Sequence, residues 1–375
     1  MGLFKSIIGK VEEAKQDLKA GQKNAQNNNV NWRSTETSSS SSTSNFEPDF
    51  KAKVQDLVML YYAENYKVDE VKYPEYLRSR YEVGFAKEKL KSLEKRGYIR
   101  PSTAAESIPH MKVSNLKEIA SQFGIKASGK KEDLCTRIVE NVTEEQLAPC
   151  IADRFWIVTD EGNAFLDDNR YIKLYLDKHE YSLDSIGLDV FSFSKLYEKK
   201  LNGTIRDRLW GEFNRRTMVY FQNAIKTGNF YEYCELLRVM ALYLKEEKRY
   251  IDSLRQYMRY MFYQENFRAA LPALQHYGCT GRVDDNADYL FINAEVLPFM
   301  AQEVMSISEG CGFDSSRLSE FMRECFLEEM KANTGIFDED ELTELIMCGL
   351  NGDKEGQKAI CSQAMNAAMK KMKKR

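Results

Sequence analysis

Apolar residues recur three and four positions apart along most of the chain, and this spacing predicts a mainly α-helical protein. The pattern predicts successive helices at 52–66, 73–83 and 84–99.

The predicted helix at 84–99 has two contrasting faces. Phe85, Leu90 and Leu93 are expected on the inner face, and Gly97 is expected to end the helix, because glycine readily adopts the left-handed conformation of a C-terminal cap. The outer face carries three lysines at four-residue spacing: Lys87, Lys91 and Lys95. Lysines at this spacing repel one another, so this face is expected to meet an anion, although exposed lysines are also common on purely solvated faces.

The segment at 111–141 has the pattern of two short helices joined by a polar loop. Gly124 ends the first helix, and Ser128 and Gly129 lie just before the second. The apolar positions that define the helices are Leu116, Ile119 and Ala120, then Leu134 and Ile138. Two helices of this length bury little surface, so they are expected to need support from the surrounding domain.

The second half of the chain predicts a helical domain at 185–362. Within it, the segment at 206–263 breaks into helices at 227–229 and 246–249, with aromatic residues after each break. One interpretation is a helical bundle with an aromatic core. The other is a set of helical hairpins that weakly resembles tetratricopeptide repeats and binds a protein partner on its concave surface.

Three segments differ from this helical body. Residues 1–20 predict an amphipathic helix that docks on a partner or weakly on a membrane surface. Residues 21–46 are rich in Asn, Gln, Ser and Thr and predict a disordered linker. Residues 363–375 predict a basic tail, which either touches nucleic acid or improves solubility.

Composition narrows the function classes. A chain of 375 residues is expected to form two or three domains. The cysteines form no C-x-x-C pair, the three histidines are isolated, and no catalytic motif is present, so we expect a non-enzymatic protein without metal or cofactor. No apolar run reaches the roughly 18 residues of a membrane helix, and the N-terminus lacks a secretory pattern, so a cytoplasmic location is expected.

Charge is distributed unevenly along the chain. The segment at 72–100 has a net charge of +5, whereas the segment at 283–345 has a net charge of −13. A basic module joined to an acidic one is expected to meet a polyanion with one face only.

The segment at 47–175 has two helices, a basic third helix, the sequence Gly97-Tyr98-Ile99 and later the run at 155–166. This order resembles a winged helix-turn-helix domain. In that family a basic third helix leads into a two-stranded wing, and a Thr-x-x-Gly sequence such as Thr159 to Gly162 follows the second strand. The resemblance implies wing strands near Tyr98–Arg100 and Phe155–Val158. These positions are far apart in sequence, so a further module is expected between them.

That inserted module, at 109–141, resembles a SAP domain, a helix, extended loop, helix unit that binds DNA. The resemblance rests on Val113, Leu116, Gly124, Ile125, Ser128, Gly129, Lys130, Lys131, Leu134 and Arg137. In the family the loop and both helix N-termini lie against the phosphate backbone. The resemblance therefore implies DNA contacts at Lys112, Ser128, Gly129, Lys130, Lys131 and Arg137.

Taken together, these features predict a protein that contacts double-stranded DNA with low sequence specificity and recruits a protein partner through its C-terminal helices. The lysines of the 84–99 helix are expected to extend the DNA contact, since the module at 109–140 has a net charge of only +2. Two alternatives stay open: an interaction adaptor in which the loop and Ser128 serve only as a helix cap, and an enzyme whose site forms from distant residues.

Overall fold

The computed structural model describes the chain at residues 46–198, 204–270, 272–273, 283–333 and 335–373. This part of the chain is mainly helical, as predicted. It comprises two compact units, an N-terminal unit that extends to Ile205 and a C-terminal unit that begins at Arg206. The helix predicted at 1–20 and nearly all of the linker predicted at 21–46 lie outside the described residues, so both stay predictions.

The N-terminal unit combines helices with one small sheet. Its helices are α1 (Pro48–Tyr62), α2 (Glu75–Tyr81), α3 (Ala86–Lys95), α4 (Ala104–Ser107), α5 (Val113–Gln122), α6 (Lys131–Asn141), α7 (Glu144–Leu147), α8 (Asp160–Asp168), α9 (Tyr171–Leu174), α10 (Glu180–Ser185) and α11 (Val190–Glu198). Its strands are β1 (Ile99–Pro101) and β2 (Trp156–Val158). Short 3₁₀ turns follow α1, α4 and α7, and a π-helical turn follows α9.

Helix α3 has the predicted amphipathic character except at its start. Leu90 and Leu93 are fully buried, and Gly97, with a φ of 79°, lies in the left-handed conformation just after the helix. The expectation that Phe85 points inward is wrong, because its side chain is 74% exposed. Phe85 is the N-cap residue with non-helical dihedral angles, and Ala86 takes the buried position instead.

Strands β1 and β2 lie where the resemblance implies two strands, and they pair in antiparallel orientation. Ile99 lies opposite Val158, and Pro101 lies opposite Trp156. A third segment also joins β2, because the Trp156 N–H donates to the Tyr66 carbonyl at 3.2 Å. The pairing closes the chain around residues 102–155, so the insertion between the two strands is a structural feature of this unit.

The Thr159 to Gly162 sequence fixes the end of α3 to the start of α8. The Thr159 hydroxyl donates to the Gly97 carbonyl at 2.6 Å and accepts the Gly162 N–H at 3.1 Å. A Cβ atom added at Gly162 would overlap the Tyr98 carbonyl oxygen. The close approach of these two backbone segments therefore requires glycine at this position.

The inserted segment has a hydrophobic core of its own. The five apolar positions predicted on α5 and α6 are all buried in one cluster: Leu116, Ile119, Ala120, Leu134 and Ile138. Helices α4 and α7, with the turns that follow them, add Ala104, Ile108, Leu147 and Ile151 to the same cluster. The sequence pattern suggests that two helices need support from the surrounding domain, whereas here the flanks of the insertion complete the core.

An ion pair joins the insertion to the sheet. The Arg100 guanidinium on β1 donates to both carboxylate oxygens of Glu106 on α4, at 2.7 and 2.6 Å. This pairing, together with the N–H of Thr103, lowers the pKa of Glu106 to about 2. Because the folded-state pKa is lowered, the pair stabilises the fold above the unfolded-state pKa of about 4.3 and is lost as the pH falls through about 2.

The border between the two units differs from the predicted one. The sequence pattern places residues from 185 onward in the C-terminal domain, but α11 belongs to the N-terminal unit. The Phe191 ring on α11 lies 6.1 Å from the Phe46 ring, and the Lys195 ammonium lies 4.6 Å from the centre of the Phe50 ring. These contacts, one between aromatic rings and one between a cation and a ring, fix α11 to the start of the N-terminal unit.

The C-terminal unit is helical throughout its described part. Its helices are α12 (Ile205–Thr227, which begins at the border), α13 (Tyr231–Glu246), α14 (Tyr250–Tyr263), α15 (Val283–Ala294), α16 (Pro298–Cys311), α17 (Ser315–Met330), α18 (Glu339–Leu350) and α19 (Lys354–Lys373). The helix breaks at 227–229 and 246–249 are confirmed. Helices α13 and α14 pack side by side, and their core includes the aromatic side chains of Phe230, Tyr233, Tyr257, Tyr260 and Phe262.

The predicted basic tail begins inside a core helix. Helix α19 continues to Lys373, and Met365 and Met369 are buried against the rest of the unit. The apolar positions of this last helix therefore extend the C-terminal domain beyond residue 362.

Glu265 is a buried carboxyl group without a hydrogen-bond partner among the described residues. It lies in a π-helical turn, Gln264–Ala269, that extends α14, and its exposure is 0%. Neither carboxylate oxygen meets a donor in the described part of the chain. Burial raises its pKa well above the ordinary value, although the positive charge of Arg268 acts in the opposite direction. The uncharged form of Glu265 is therefore the one that suits the folded core.

We expect Gly162→Ala to destabilise the N-terminal unit by about 2 kcal/mol, because its Cβ would overlap the Tyr98 carbonyl. Gly84→Ala is the matched control, since a Cβ at Gly84 meets nothing within 4 Å. Urea denaturation of both variants measures the difference. Equal stability of the two variants would contradict the close approach of these segments.

We expect Glu265→Gln to weaken the dependence of stability on pH in the C-terminal unit. Above the unfolded-state pKa of about 4.3, the wild-type core must keep a proton that the unfolded chain releases. Wild-type stability should therefore fall relative to the variant by up to about 1.4 kcal/mol per pH unit, until the raised folded-state pKa is reached.

Hydrogen exchange of the α14 amides between about pH 5 and about pH 8, corrected for the intrinsic exchange rate, measures this difference. Glu232→Gln, at an exposed position on α13, is the control and should leave the pH dependence unchanged. A constant difference between wild type and Glu265→Gln across this range would show that Glu265 does not hold a proton.

Candidate nucleic-acid interface

The N-terminus of α6 follows directly after the loop at 126–130. Its N-cap residue is Lys130, and no described side chain caps the free N–H groups of the first turn. Gly129 precedes it with a φ of 112°, a conformation that glycine adopts without strain. Lys130 is exposed and Lys131 is half-buried. Uncapped N–H groups carry partial positive charge, so this end of α6 suits an anion.

Ser128 does not cap this helix. Its backbone carbonyl accepts a hydrogen bond from the Arg137 guanidinium at 2.5 Å, and its position lies two residues before the N-cap. The interpretation of the loop as a Ser128 cap is therefore wrong. Ser128 and Gly129 are both exposed, which leaves the loop backbone open to a ligand.

Arg137 supports the loop from the second turn of α6. Besides its bond to Ser128, its two terminal nitrogens lie 3.6 and 3.7 Å from where a Cβ of Gly129 would be. Its Nε is buried and meets no acceptor among the described residues. Arg137 therefore holds the loop in place and adds positive charge behind it.

The N-terminus of α5 offers a second uncapped helix end. Its N-cap residue is Lys112, which is exposed and makes no side-chain capping hydrogen bond with the described residues. The first turn of α5 contains no acidic residue, whereas the first turn of α6 contains Glu132 and Asp133. These two carboxylates compensate part of the positive charge of α6, so the N-terminus of α5 is the less compensated of the two.

Helix α3 carries both neutralised and unpaired positive charges. Lys89 and Arg96 both bind the Asp56 carboxylate, at 2.9 and 2.7 Å, and so fix α3 to α1. Three lysines are exposed and form no ion pair with a described residue, namely Lys87, Lys91 and Lys95. The exposed Glu88 and Glu94 lie at the two edges of this lysine row and limit its excess charge.

The residues predicted to contact DNA all lie in the N-terminal unit, where they form two separate sets. The SAP-like set lies on α5, α6 and their loop, which pack together, whereas the α3 lysines lie on a helix that packs against α1 and β1. The N-terminal unit contains both sets. A single continuous surface that joins them stays a prediction.

Sequence reasoning missed the short helices that frame the insertion. Thr103 with Glu106, and Thr143 with Gln146, form capping boxes at α4 and α7. The Glu144 carboxylate also accepts the N–H groups of Ala104 and Ala105, which lowers its pKa. The Thr-x-x-Glu and Thr-x-x-Gln spacings were the signal that marks both helix starts.

The described part of the chain was also compared with the requirements of a metal site, a disulfide and a membrane-spanning helix. No group of three or more His, Cys, Asp or Glu side chains there is arranged to hold a metal ion. The described cysteines are free thiols. No single described helix has both the length and the apolar character to cross a membrane, and one pair, Ala287–Ala294 with Pro298–Cys311, meets these criteria only jointly across a bend of 51°.

Comparison with known proteins identifies the inserted segment. Residues 107–143 match the family model of the SAP domain. No curated protein and no solved structure matches the chain. The matched range includes α5, α6 and the loop between them, and thus every SAP position inferred from the sequence. The chain therefore contains a SAP domain at residues 107–143.

Proposed function

We propose that this protein is a non-enzymatic, cytoplasmic DNA-binding protein whose SAP domain contacts the phosphate backbone of duplex DNA. The observation that carries the proposal is the presence of two uncapped helix N-termini, each with a lysine as its N-cap residue, in one small domain. Free N–H groups and lysines bind phosphate but do not read bases, so the sequence specificity of this contact is low.

The loop backbone adds a second reason to favour phosphate. Gly129 has no side chain that would block the approach of a phosphate to the loop backbone. The hydrogen bond from Arg137 holds the neighbouring Ser128 carbonyl in one orientation. Lys112 at the N-terminus of α5, and Lys130 and Lys131 at that of α6, add positive charge for the phosphates to contact. The fixed geometry lowers the entropy that the loop loses on binding.

The rest of the N-terminal unit supports a winged-helix-like arrangement. Helices α1, α2 and α3 precede a two-stranded antiparallel sheet, and the SAP domain lies between its strands. The unpaired lysines of α3 add phosphate contacts that the SAP domain, with few net charges, needs for useful affinity.

A protein-binding role is proposed for the C-terminal unit. Two of its half-exposed aromatic rings are each covered by an arginine: Arg268 lies 4.5 Å from the Tyr231 ring centre, and Arg238 lies 5.4 Å from that of Phe299. Glu235 links the two arginines, at 3.7 and 3.8 Å. Aromatic and arginine side chains of this kind are enriched at the centres of protein interfaces.

We expect Lys130→Glu/Lys131→Glu in the full chain to weaken duplex DNA binding at least roughly tenfold at low salt. The plot of log affinity against log salt should become less steep by about 0.9 for each phosphate that the variant no longer neutralises. Fluorescence anisotropy with a labelled duplex across a salt series measures both quantities.

The control is Lys53→Glu/Lys72→Glu, which changes the charge equally at two exposed positions outside the SAP domain. This control should bind DNA nearly as tightly as the wild type. If the SAP variant matches the wild type as well, the loop serves only as architecture, and the adaptor function replaces the DNA-binding one.

We expect Lys87→Ala/Lys91→Ala/Lys95→Ala, made in the wild-type chain, to make the plot of log affinity against log salt less steep. The change should be up to about 2.7 if each of the three lysines contacts a phosphate. The same anisotropy series measures it, with Lys53→Ala/Lys72→Ala as the control. An unchanged slope would show that the α3 lysines do not contact DNA phosphates and that the SAP domain makes the contact without them.

A further inference from the structure

The C-terminal unit has a half-exposed apolar surface at the starts of α13 and α16. The rings of Tyr231 and Phe299 are 45% and 46% exposed, and Leu297, the N-cap residue of α16, is 42% exposed. The arginine and glutamate contacts described above form a continuous series that connects the two rings. These residues, namely Tyr231, Leu297, Phe299 and the charged side chains between the rings, are called the ring surface below.

The arginines of the ring surface are held in place by polar and acidic partners. The Arg238 guanidinium donates to the Glu303 carboxylate at 3.0 Å, and the Tyr257 hydroxyl donates to the same carboxylate at 2.7 Å. The Arg268 guanidinium donates to the Gln264 side-chain oxygen at 2.8 Å. The ring surface therefore offers fixed rings with largely compensated charge, which suits the apolar face of a protein segment better than a polyanion.

The chain itself contains a segment with such an apolar face. In the helix predicted at 1–20, five large apolar residues share one side: Leu3, Phe4, Ile7, Ile8 and Val11. An isolated helix of this length with two glycines and three β-branched residues in its first eleven positions is marginal in water. The segment therefore needs a surface that covers its apolar side.

Charge favours a protein surface over a membrane or DNA as the place where this segment docks. Residues 1–20 contain four lysines and three acidic residues, so their side chains have a net charge of only +1. Attraction to anionic lipids or phosphates grows with each basic residue, so it is weak here. The segment at 283–345, which includes Leu297 and Phe299, has a net charge of −13 and does not repel a slightly basic helix.

The tether makes even a weak contact of this segment effective. Residues 21–45 connect it to Phe46, where the described part of the chain begins. A flexible linker of this length spans roughly 25 to 30 Å on average and about 85 Å when fully extended. It holds the segment at an effective concentration on the order of millimolar around the rest of the chain, so modest apolar burial is enough for docking.

We propose that residues 1–20 dock with their apolar side on the ring surface of the same chain. This inference rests on the protein-binding role proposed for the C-terminal unit, and it names the segment that occupies the ring surface when no other protein is bound. A partner protein must then displace a tethered segment, so its apparent affinity is lower than for the open surface.

The test places the photoreactive analogue p-benzoylphenylalanine at position 299 of the full chain and maps by mass spectrometry which residues it captures. Capture of residues 1–20 of the same chain is expected, and a dilute mixture of isotope-labelled and unlabelled chains separates this from capture between chains. Phe4→Ser/Ile8→Ser should lower the yield roughly tenfold, because two apolar contacts are lost. Lys5→Ser/Glu13→Ser, on the opposite side of the predicted helix and with the same net charge, is the control and should keep the wild-type yield.

The other outcomes overturn the inference in distinguishable ways. No capture, or a yield that Phe4→Ser/Ile8→Ser leaves unchanged, would show that the apolar side of residues 1–20 does not cover the ring surface, which then stays open to another protein. Capture of residues 1–20 from a second chain would assign the contact to two copies. Capture of the N-terminal unit would mean that this unit closes the ring surface, so the protein-binding role would fail together with the inference.

Discussion

The antiparallel pairing of β1 with β2 is the constraint on which the N-terminal unit depends. It joins two strands across residues 102–155, and closing a flexible loop of that length costs about 3.5 kcal/mol plus a constant. The inserted segment avoids much of this cost because it is compact: its helices share one core, and its two ends meet at the sheet. The Arg100 to Glu106 pair fixes α4 to β1, and the bonds of Glu144 to α4 join the two ends of the insertion. Both ends of the SAP-containing insertion are thus fixed at the paired strands, so the SAP domain is not attached through a flexible linker.

The same sheet places the basic helix. Thr159 binds the carbonyl of Gly97, and Gly162 lies against that of Tyr98, so the end of α3 is fixed to the start of α8. Asp56 holds α3 from the other direction through Lys89 and Arg96. The positive charges of α3 therefore divide into those that support the fold and those that stay available to a ligand. This division has a functional consequence, because only unpaired lysines release counterions when they meet phosphate.

The C-terminal unit has a different physical character. Its core contains many tyrosine rings and the buried carboxyl of Glu265, which favours the uncharged form in an apolar environment. Its helices also carry an excess of acidic residues, whereas the SAP domain and α3 carry exposed lysines. The lysines of α3 and the SAP domain and the acidic segment at 283–345 therefore present opposite local charge, and a polyanion would be attracted to the first and repelled by the second.

The sequence by itself determined the helical class, the SAP domain, the apolar faces of α5 and α6 and that of α3 apart from Phe85, because each of these leaves a local period or a local motif. Tertiary structure decided what depends on contacts between distant residues. Phe85 follows a turn whose course is set by Lys51 and Gln55, so no helical period could place its ring in the solvent. Arg137 reads as a DNA contact from the motif, and only the folded loop shows that it first holds the Ser128 carbonyl. Helix α11 and the end of α19 belong to their units through side-chain packing across the chain, which sequence spacing does not encode.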